Sequence, residues 1–411
     1  MVREIDFVDE CYADKDLSLL KKLTLVIPTY NRNYYLSRCL WYHAHFPFGQ
    51  IIVADSSPEE KKVVNRETVA KVREIFGADI LYLEYEPETE KYGGDIYRKW
   101  GDAVMHVETE YSQICGDKEY IIPSTLNSEI EFLDNNLEYV SAVDKKYLLL
   151  QNSKRKGQIN ILKQKHIERA SQDLEMPLER VKNALYSQPY HNSLLLTLLR
   201  TEVMKKVYLG YLESDINDIR YGEIFLGYAP YVYGKTLYLN KQIHKIRDIT
   251  KLVRDGNVRS RVFSSESSTS RYPHIFEYNK HPECLSFHGT YANHFTKLIV
   301  NKSGDKWDVV KPIIENRNIP IYVGYGNSAF VRKMSDIGAK YLLDSYIWNL
   351  LPNQIVRIFH EIVQHLFKLS IPQGRDNCLE IGQLPEAELV NYIITNPQVI
   401  NNKMNMDSGV D

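Results

Sequence analysis

The chain has 411 residues, of which 44% are hydrophobic and 25% are charged. This length and composition allow one large domain with a smaller appendage, and they exclude a disordered or fibrous protein. The 51 basic and 53 acidic side chains give a formal net charge of -2, so no overall positive field attracts nucleic acid. We therefore expect no nucleic-acid partner.

The five cysteines are far apart in the sequence, at positions 11, 39, 115, 284 and 378. They form neither a CxxC pair nor a disulfide framework, so we expect reduced, mostly buried thiols. Residues 1–20 are a polar leader, and no later stretch approaches the ~18 uninterrupted apolar residues of a membrane span. These features predict a cytoplasmic protein, with peripheral contact at the inner face of the membrane left open.

Short apolar runs alternate with helical segments in the first third of the chain. The run at 23–27 ends at Pro28, as expected for a strand buried on both faces of a parallel sheet. A helix through 34–43, capped by Asn31 or Asn33, leads to a second buried run that ends at Asp55. Next come a helix at 59–76, a strand at 78–86, a helix at 96–107 and a strand from 111. This alternation predicts an α/β fold with a doubly wound, mostly parallel sheet.

Polar residues follow each predicted strand end. They are Pro28-Thr29-Tyr30-Asn31-Arg32, then Asp55-Ser56-Ser57, then Gly116-Asp117-Lys118-Glu119. Ligands of such sheets bind at the carboxyl ends of the strands, near the point where the strand order reverses. We therefore expect the chemistry of the protein at this edge.

The sequence LTLVIPTYNRNYYLSRCL, together with IIVADSS, resembles the opening of the family 2 glycosyltransferases and their bacterial relatives, which have the GT-A fold. In that family the first strand end forms part of the pocket for the nucleotide base, and an Asp at the second strand end hydrogen-bonds it. The resemblance implies donor-binding roles for Pro28, Thr29, Tyr30, Arg32 and Asp55. An aromatic ring offers the base a stacking face and a carboxylate accepts from a ring N–H. A strand-turn-helix without a ligand is the alternative.

The segment YSQICGDKEYIIPSTL resembles the family's Asp-x-Asp motif, with Asp117 and Glu119 at the acidic positions. Residues two apart in an extended chain share a face, so both carboxylates can hold one Mg²⁺ or Mn²⁺ that bridges the donor diphosphate. Relatives often place a His or Arg further along to complete the metal site or contact the diphosphate, which implies His244 as a third ligand and Arg247 as a phosphate contact. The motif departs from the usual pattern by ending in Glu, and positive charge from Lys118 is the alternative to a metal.

Four further positions match the donor side of the family. Gly93 and Gly94 permit close backbone approach to the donor, Lys99 can meet phosphate, and Gly116 precedes the acidic motif.

The acidic segment YLESDINDIRYGE can supply the base that deprotonates the acceptor hydroxyl in an inverting transfer. Asp215 is the first candidate and Asp218 the second, and a solvated acidic helix start is the alternative. His191 is a weaker candidate for the acceptor or sugar side.

The resemblance implies a GT-A catalytic domain at 21–250, within which 137–200 form a helical insertion or acceptor lid. Residues 251–272 are a linker or mobile loop, and 273–411 form a mainly helical region that can mediate homo-oligomerisation. The implied function is inverting transfer of a sugar from a UDP- or GDP-sugar to a glycan, lipid-linked or other hydroxyl acceptor, in bacterial surface polysaccharide synthesis. A nucleotidyltransferase of similar fold and a non-catalytic binder of nucleotide sugars or glycans are the alternatives.

Overall fold

The structure is a computed structural model, and it describes residues 12, 15–87, 95–144, 146–152, 159–163, 170–187, 193–239, 242–248, 282–315, 389–390 and 392–393. Gly93, Gly94, His191, the predicted linker at 251–272 and most of the region from 273 onward lie outside these residues. Within them, no helix combines the length and the apolar character needed to cross a bilayer.

The central sheet has five strands in the order β3-β2-β1-β4-β9. They are β1 (Leu23–Thr29), β2 (Gln50–Asp55), β3 (Ile80–Glu84), β4 (Tyr111–Ile114) and β9 (Leu199–Arg200). The first four are parallel, and β9 is an antiparallel edge. The chain moves outward from β1 to β3 and then returns to place β4 on the other side of β1, so the strand order reverses between β1 and β4. The predicted α/β class with a mostly parallel sheet is confirmed, in agreement with a GT-A fold.

Helices cover both faces of this sheet. The α-helices up to residue 233, in chain order, are α1 (Asn33–His43), α2 (Glu59–Phe76), α3 (Asp95–Met105), α4 (Pro123–Asn135), α5 (Pro177–Ser187), α6 (Thr201–Leu212), α7 (Ile219–Tyr228) and α8 (Pro230–Tyr233). Along β1, Leu25 and Ile27 pack into one apolar cluster and Val26 packs into the other. Burial on both sides explains why β1 is an uninterrupted apolar run.

The region predicted as a helical insertion at 137–200 is largely β-structure in its first half, so that prediction is wrong there. It contains β6 (Tyr139–Val143), β7 (Lys146–Asn152) and β8 (Ile159–Lys163) before the helix α5. Strand β7 pairs in parallel with β11 (Ile243–Asp248), almost 100 residues later, and a four-stranded sheet forms in the order β5-β11-β7-β8, with β5 at Glu119–Ile121. Strand β6 pairs separately with β10 (Lys235–Tyr238). Pairing with such distant strands outweighs the local helical composition.

The described part of the C-terminal region is helical, as predicted. Helix α9 (Pro282–Ser303) packs against α7, and α10 (Trp307–Glu315) packs against α9, so both join the central core rather than forming a separate one. The ring of Tyr291 stacks on that of Tyr221 with 5.4 Å between centroids, and Phe295 packs edge-on against Phe225 at 5.6 Å. The two helices therefore extend one face of the central core.

Candidate functional site

Three side chains from the predicted strand-end motifs meet where the strand order reverses. Asp117, in the turn after β4, accepts a hydrogen bond from the hydroxyl of Thr29 at 3.1 Å and one from the guanidinium of Arg32 at 3.2 Å. Asp117 is 3% exposed, and burial raises the pKa of its carboxyl despite the opposing effects of Arg32 and Thr29. The ends of β1 and β4 are thus joined through one buried carboxyl group.

The backbone after β1 is held in an unusual conformation. Asn31 has a φ of 53°, in the left-handed region that Asn tolerates better than most residues, and its N–H donates to the hydroxyl of Ser57 at 2.8 Å. Helix α1 then begins at Asn33 without a side-chain cap, so the predicted capping by Asn31 or Asn33 is wrong. Pro28 and Tyr30 are half-buried beside this turn.

Asp55 is completely buried at the end of β2, and three protein groups donate to its carboxylate. They are the N–H of Ser57 at 2.8 Å, the amide of Asn65 at 2.7 Å and the hydroxyl of Tyr82 at 2.6 Å. A base N–H would have to enter this buried cluster and either displace one of these donors or use the remaining acceptor position of the carboxylate. In this geometry Asp55 holds the turn that bonds to Asn31.

Lys99 reaches the same edge from helix α3. Its ammonium donates to the hydroxyl of Ser56 at 2.7 Å and to the carbonyl oxygen of Thr29 at 3.3 Å. The side chain is buried, so this ammonium links the ends of β1 and β2 from beneath and does not lie at the surface.

Glu119 is paired with two cations from β11. Its carboxylate accepts from Lys245 at 2.8 Å and from Arg247, whose Nε lies at 3.0 Å. Burial alone would raise the pKa of Glu119, but Lys245 and Arg247 together lower it to about 2. Both carboxylate oxygens are therefore occupied by protein cations, which does not suit a metal ligand.

His244 lies on the opposite face of β11. One ring nitrogen lies 3.1 Å from the carboxylate of Glu129 and the other 2.9 Å from the side-chain amide of Gln113, and all three residues are buried. In the described part of the chain, Asp117, Glu119 and His244 do not form a group of metal ligands. The three residues predicted to bind Mg²⁺ or Mn²⁺ therefore do not fit a common ion, because each is committed to different protein partners.

Positive charge surrounds the turn that carries Asp117. Lys118 lies over the ring of Tyr35, 3.9 Å from its centroid, and burial and the nearby Arg32 lower the pKa of its ammonium. Arg32 and Arg247 are 24% and 39% exposed, so their guanidinium groups reach the surface. A bound anion at this edge would relieve the repulsion between these cations.

The acidic turn at 213–218 is attached to the helix that carries Lys99. Arg98 of α3 donates to the carbonyl oxygens of Leu212 and Ser214, both at 2.9 Å. Within the turn, Asp218 is buried and accepts from the N–H of Tyr221 at 3.2 Å, as an N-cap of α7, whereas Asp215 is exposed. Of the two predicted bases, only Asp215 presents its carboxylate to solvent.

Two partners of the site were not foreseen from the sequence. Tyr35 supports Lys118, and Lys245 neutralises Glu119. The available signal for Lys245 is its position two residues before Arg247 in IHKIRD, because residues two apart in a strand lie on the same face.

Comparisons with protein-family models and with curated proteins find no match. Among solved structures, the chain is similar to S. aureus TarS 1-349 in complex with UDP, at 13% identity and a TM-score of 0.47, over 93% of this chain and 89% of that one. It is also similar to S. aureus TarS 1-349 in complex with UDP-GlcNAc, at 15% identity and a TM-score of 0.45, with the same coverage. We therefore draw the function of this chain from its own residues.

Proposed function

We propose that the chain is a glycosyltransferase that takes its sugar from a nucleoside-diphosphate donor, a UDP- or GDP-sugar. The carrying observation is the junction of Thr29, Arg32 and Asp117 at the point where the strand order reverses, surrounded by cationic side chains. Open α/β sheets bind nucleotides at this place. The half-buried ring of Tyr30 offers the base a stacking face beside it.

The donor diphosphate would lie against Arg32, Lys118 and Arg247. As the bond to the sugar breaks, negative charge grows on the leaving phosphate, and fixed cations at that position lower the barrier. Glu119 and His244 are committed to other partners. We therefore propose that the three cationic side chains, rather than a metal ion, supply this positive charge. Transfer should then persist when divalent ions are chelated.

Asp215 is the proposed base for the acceptor hydroxyl, on a glycan, lipid-linked or other hydroxyl acceptor. An exposed carboxylate on a turn fixed to α3 by Arg98 can meet an acceptor arriving from solvent. Direct displacement requires the acceptor oxygen, the anomeric carbon and the leaving phosphate nearly in line, which inverts the anomeric configuration. A role in surface polysaccharide synthesis accords with such acceptors.

The decisive experiment measures transfer from UDP- and GDP-sugars, with and without a chelator, and determines the anomeric configuration of the product by NMR coupling constants. Asp215→Asn should lower kcat by ~10²–10⁴-fold and leave donor affinity intact, because the residue acts on the acceptor. Retained configuration would overturn the direct displacement. Donor binding without transfer or hydrolysis would favour a non-catalytic binder, and nucleotidyl products would favour a nucleotidyltransferase.

A further inference from the structure

Two cysteines and a histidine meet in the core directly beneath the turn that carries Asp117. Cys39 and His43 lie one turn apart on α1, and Cys115 follows β4. Their ligand atoms all lie within 4.8 Å of one another, and all three side chains are buried. The proposed glycosyl transfer uses none of them.

We propose that Cys39, His43 and Cys115 form a binding site for a thiophilic divalent cation of the zinc class. Two thiolates and one imidazole are a ligand set that Zn²⁺ prefers over harder ions. The Sγ of Cys39 lies 3.5 Å from Nδ1 of His43. The imidazole ring therefore lies directly against this thiol.

Two backbone carbonyl oxygens lie close to the sulfur atoms of this cluster. The Sγ of Cys115 lies 3.5 Å from the carbonyl oxygen of Gly116 and 3.4 Å from that of Glu119, and the Sγ of Cys39 lies 3.9 and 3.6 Å from the same two oxygens. Thiols can donate weakly to these oxygens, whereas two thiolates would be repelled by them unless a cation lay nearby. A cation would release the thiol protons to solvent and attract sulfur and carbonyl oxygen together.

The imidazole now has two backbone partners. Nδ1 lies 2.8 Å from the carbonyl oxygen of Cys39, and Nε2 accepts from the N–H of Ile121 at 3.2 Å. Ligation through Nε2 would replace the bond from Ile121, while Nδ1–H would continue to donate to the carbonyl oxygen of Cys39 and would orient the ring, as in many metal sites. His45 makes the same kind of bond to Trp41, at 2.7 Å, and is not part of the cysteine cluster, so it offers a matched control.

The cation would act on the turn above it. Gly116 and Glu119 are the two ends of that turn and are joined by a hydrogen bond of 2.9 Å from the N–H of Glu119 to the carbonyl oxygen of Gly116. A metal ion against both carbonyl groups would stiffen the segment that holds Asp117 and Lys118. This inference does not depend on the proposed transfer reaction, since its readout is metal content.

The full-length protein should be purified without chelators from zinc-supplemented culture, and its metal content measured by mass spectrometry. We expect about one Zn²⁺ per chain. Added Cd²⁺ should produce the ultraviolet thiolate-to-cadmium charge-transfer band, either in the native protein or in protein refolded with the ion present.

Cys39→Ser and Cys115→Ser should each diminish the cadmium band, and His43→Asn should weaken affinity at least about tenfold, while His45→Asn stays close to wild type. Circular dichroism would establish that each variant is folded. The inference would be overturned if the wild-type protein held no stoichiometric Zn²⁺ after growth in zinc and no stoichiometric Cd²⁺ after addition of that ion to the native or refolded protein. An undiminished cadmium band in both cysteine variants would overturn it as well.

Discussion

On one face of β11, Lys245 and Arg247 meet Glu119 beside the proposed donor site, and the guanidinium of Arg247 is 39% exposed. On the other face, His244 and Asp248 are buried and pair with Glu129 and Arg38. Both faces contain ion pairs, but only one is open to a ligand. Substitutions on the buried face should therefore change stability alone, and those on the open face should change binding as well.

The largest effect is expected from Asp248→Ala on the buried face. It leaves the guanidinium of Arg38, 2% exposed and 2.9 Å from Asp248, without its carboxylate. We expect a loss of roughly 3–5 kcal/mol in the free energy of unfolding, measured by urea denaturation. The matched control is Arg38→Met combined with Asp248→Leu, which removes both charges and should recover most of that loss. Equal losses in the two proteins would contradict the role of the pair.

Acid should weaken the pair on the open face. The pKa of Glu119 is lowered from 4.5 to about 2 in the folded chain, so its stabilising contribution is complete above about pH 4.5 and is lost as the pH falls towards 2. The contribution is on the order of 3 kcal/mol. In urea unfolding across this range, the stability of wild type should approach that of Glu119→Gln as the pH falls. A constant difference would show that Glu119 is not paired as described.

Arg247→Ala should weaken binding of a nucleoside diphosphate about 10- to 100-fold, through loss of a charged hydrogen bond to phosphate. Titration calorimetry with UDP and GDP measures this change. Lys71→Ala is the control, because Lys71 makes a surface ion pair with Glu74 near the end of α2 that leads into β3, at the opposite edge of the sheet. If both variants bind alike, Arg247 does not contact the donor.

The smallest effect is expected at Asp218, where the contrast between buried and exposed groups recurs within one turn. Asp218→Ala should cost about 1 kcal/mol by removing the cap of α7, and Asp218→Asn should cost little because Asn caps equally well. Thermal unfolding measures both. A large fall in turnover in Asp218→Asn would instead make Asp218 the base, in place of Asp215.

The first four strands and their helices were predictable because their signals are local. Buried parallel strands are apolar runs, and α2 ends at Gly77 with a φ of 65°, which glycine readily adopts. The strands of 139–163 were not predictable, since β7 depends on a partner near residue 245. The placement of the predicted metal ligands was not predictable for a similar reason. Asp117 lies in a turn and Glu119 begins β5, so the alternation of an extended chain does not bring their carboxylates together.

The cysteine cluster shows what sequence spacing conceals. Cys39 and His43 have the four-residue separation that places two side chains on one face of a helix, but Cys115 is 76 residues beyond Cys39 and joins them only because β4 lies beside β1. A search for closely spaced cysteine pairs therefore cannot find it. The position of the strand-end residues, in contrast, is predictable because it follows from the sheet alone.

Arg98 and Lys99 are neighbours on α3 but extend in different directions, one to the carbonyl oxygens of the turn before Asp215 and the other to the ends of β1 and β2. Through these bonds, a shift of α3 would move the turn of the proposed base together with the strand ends at the proposed donor site. Helix α3 would therefore keep the distance between the proposed base and the proposed donor site nearly constant.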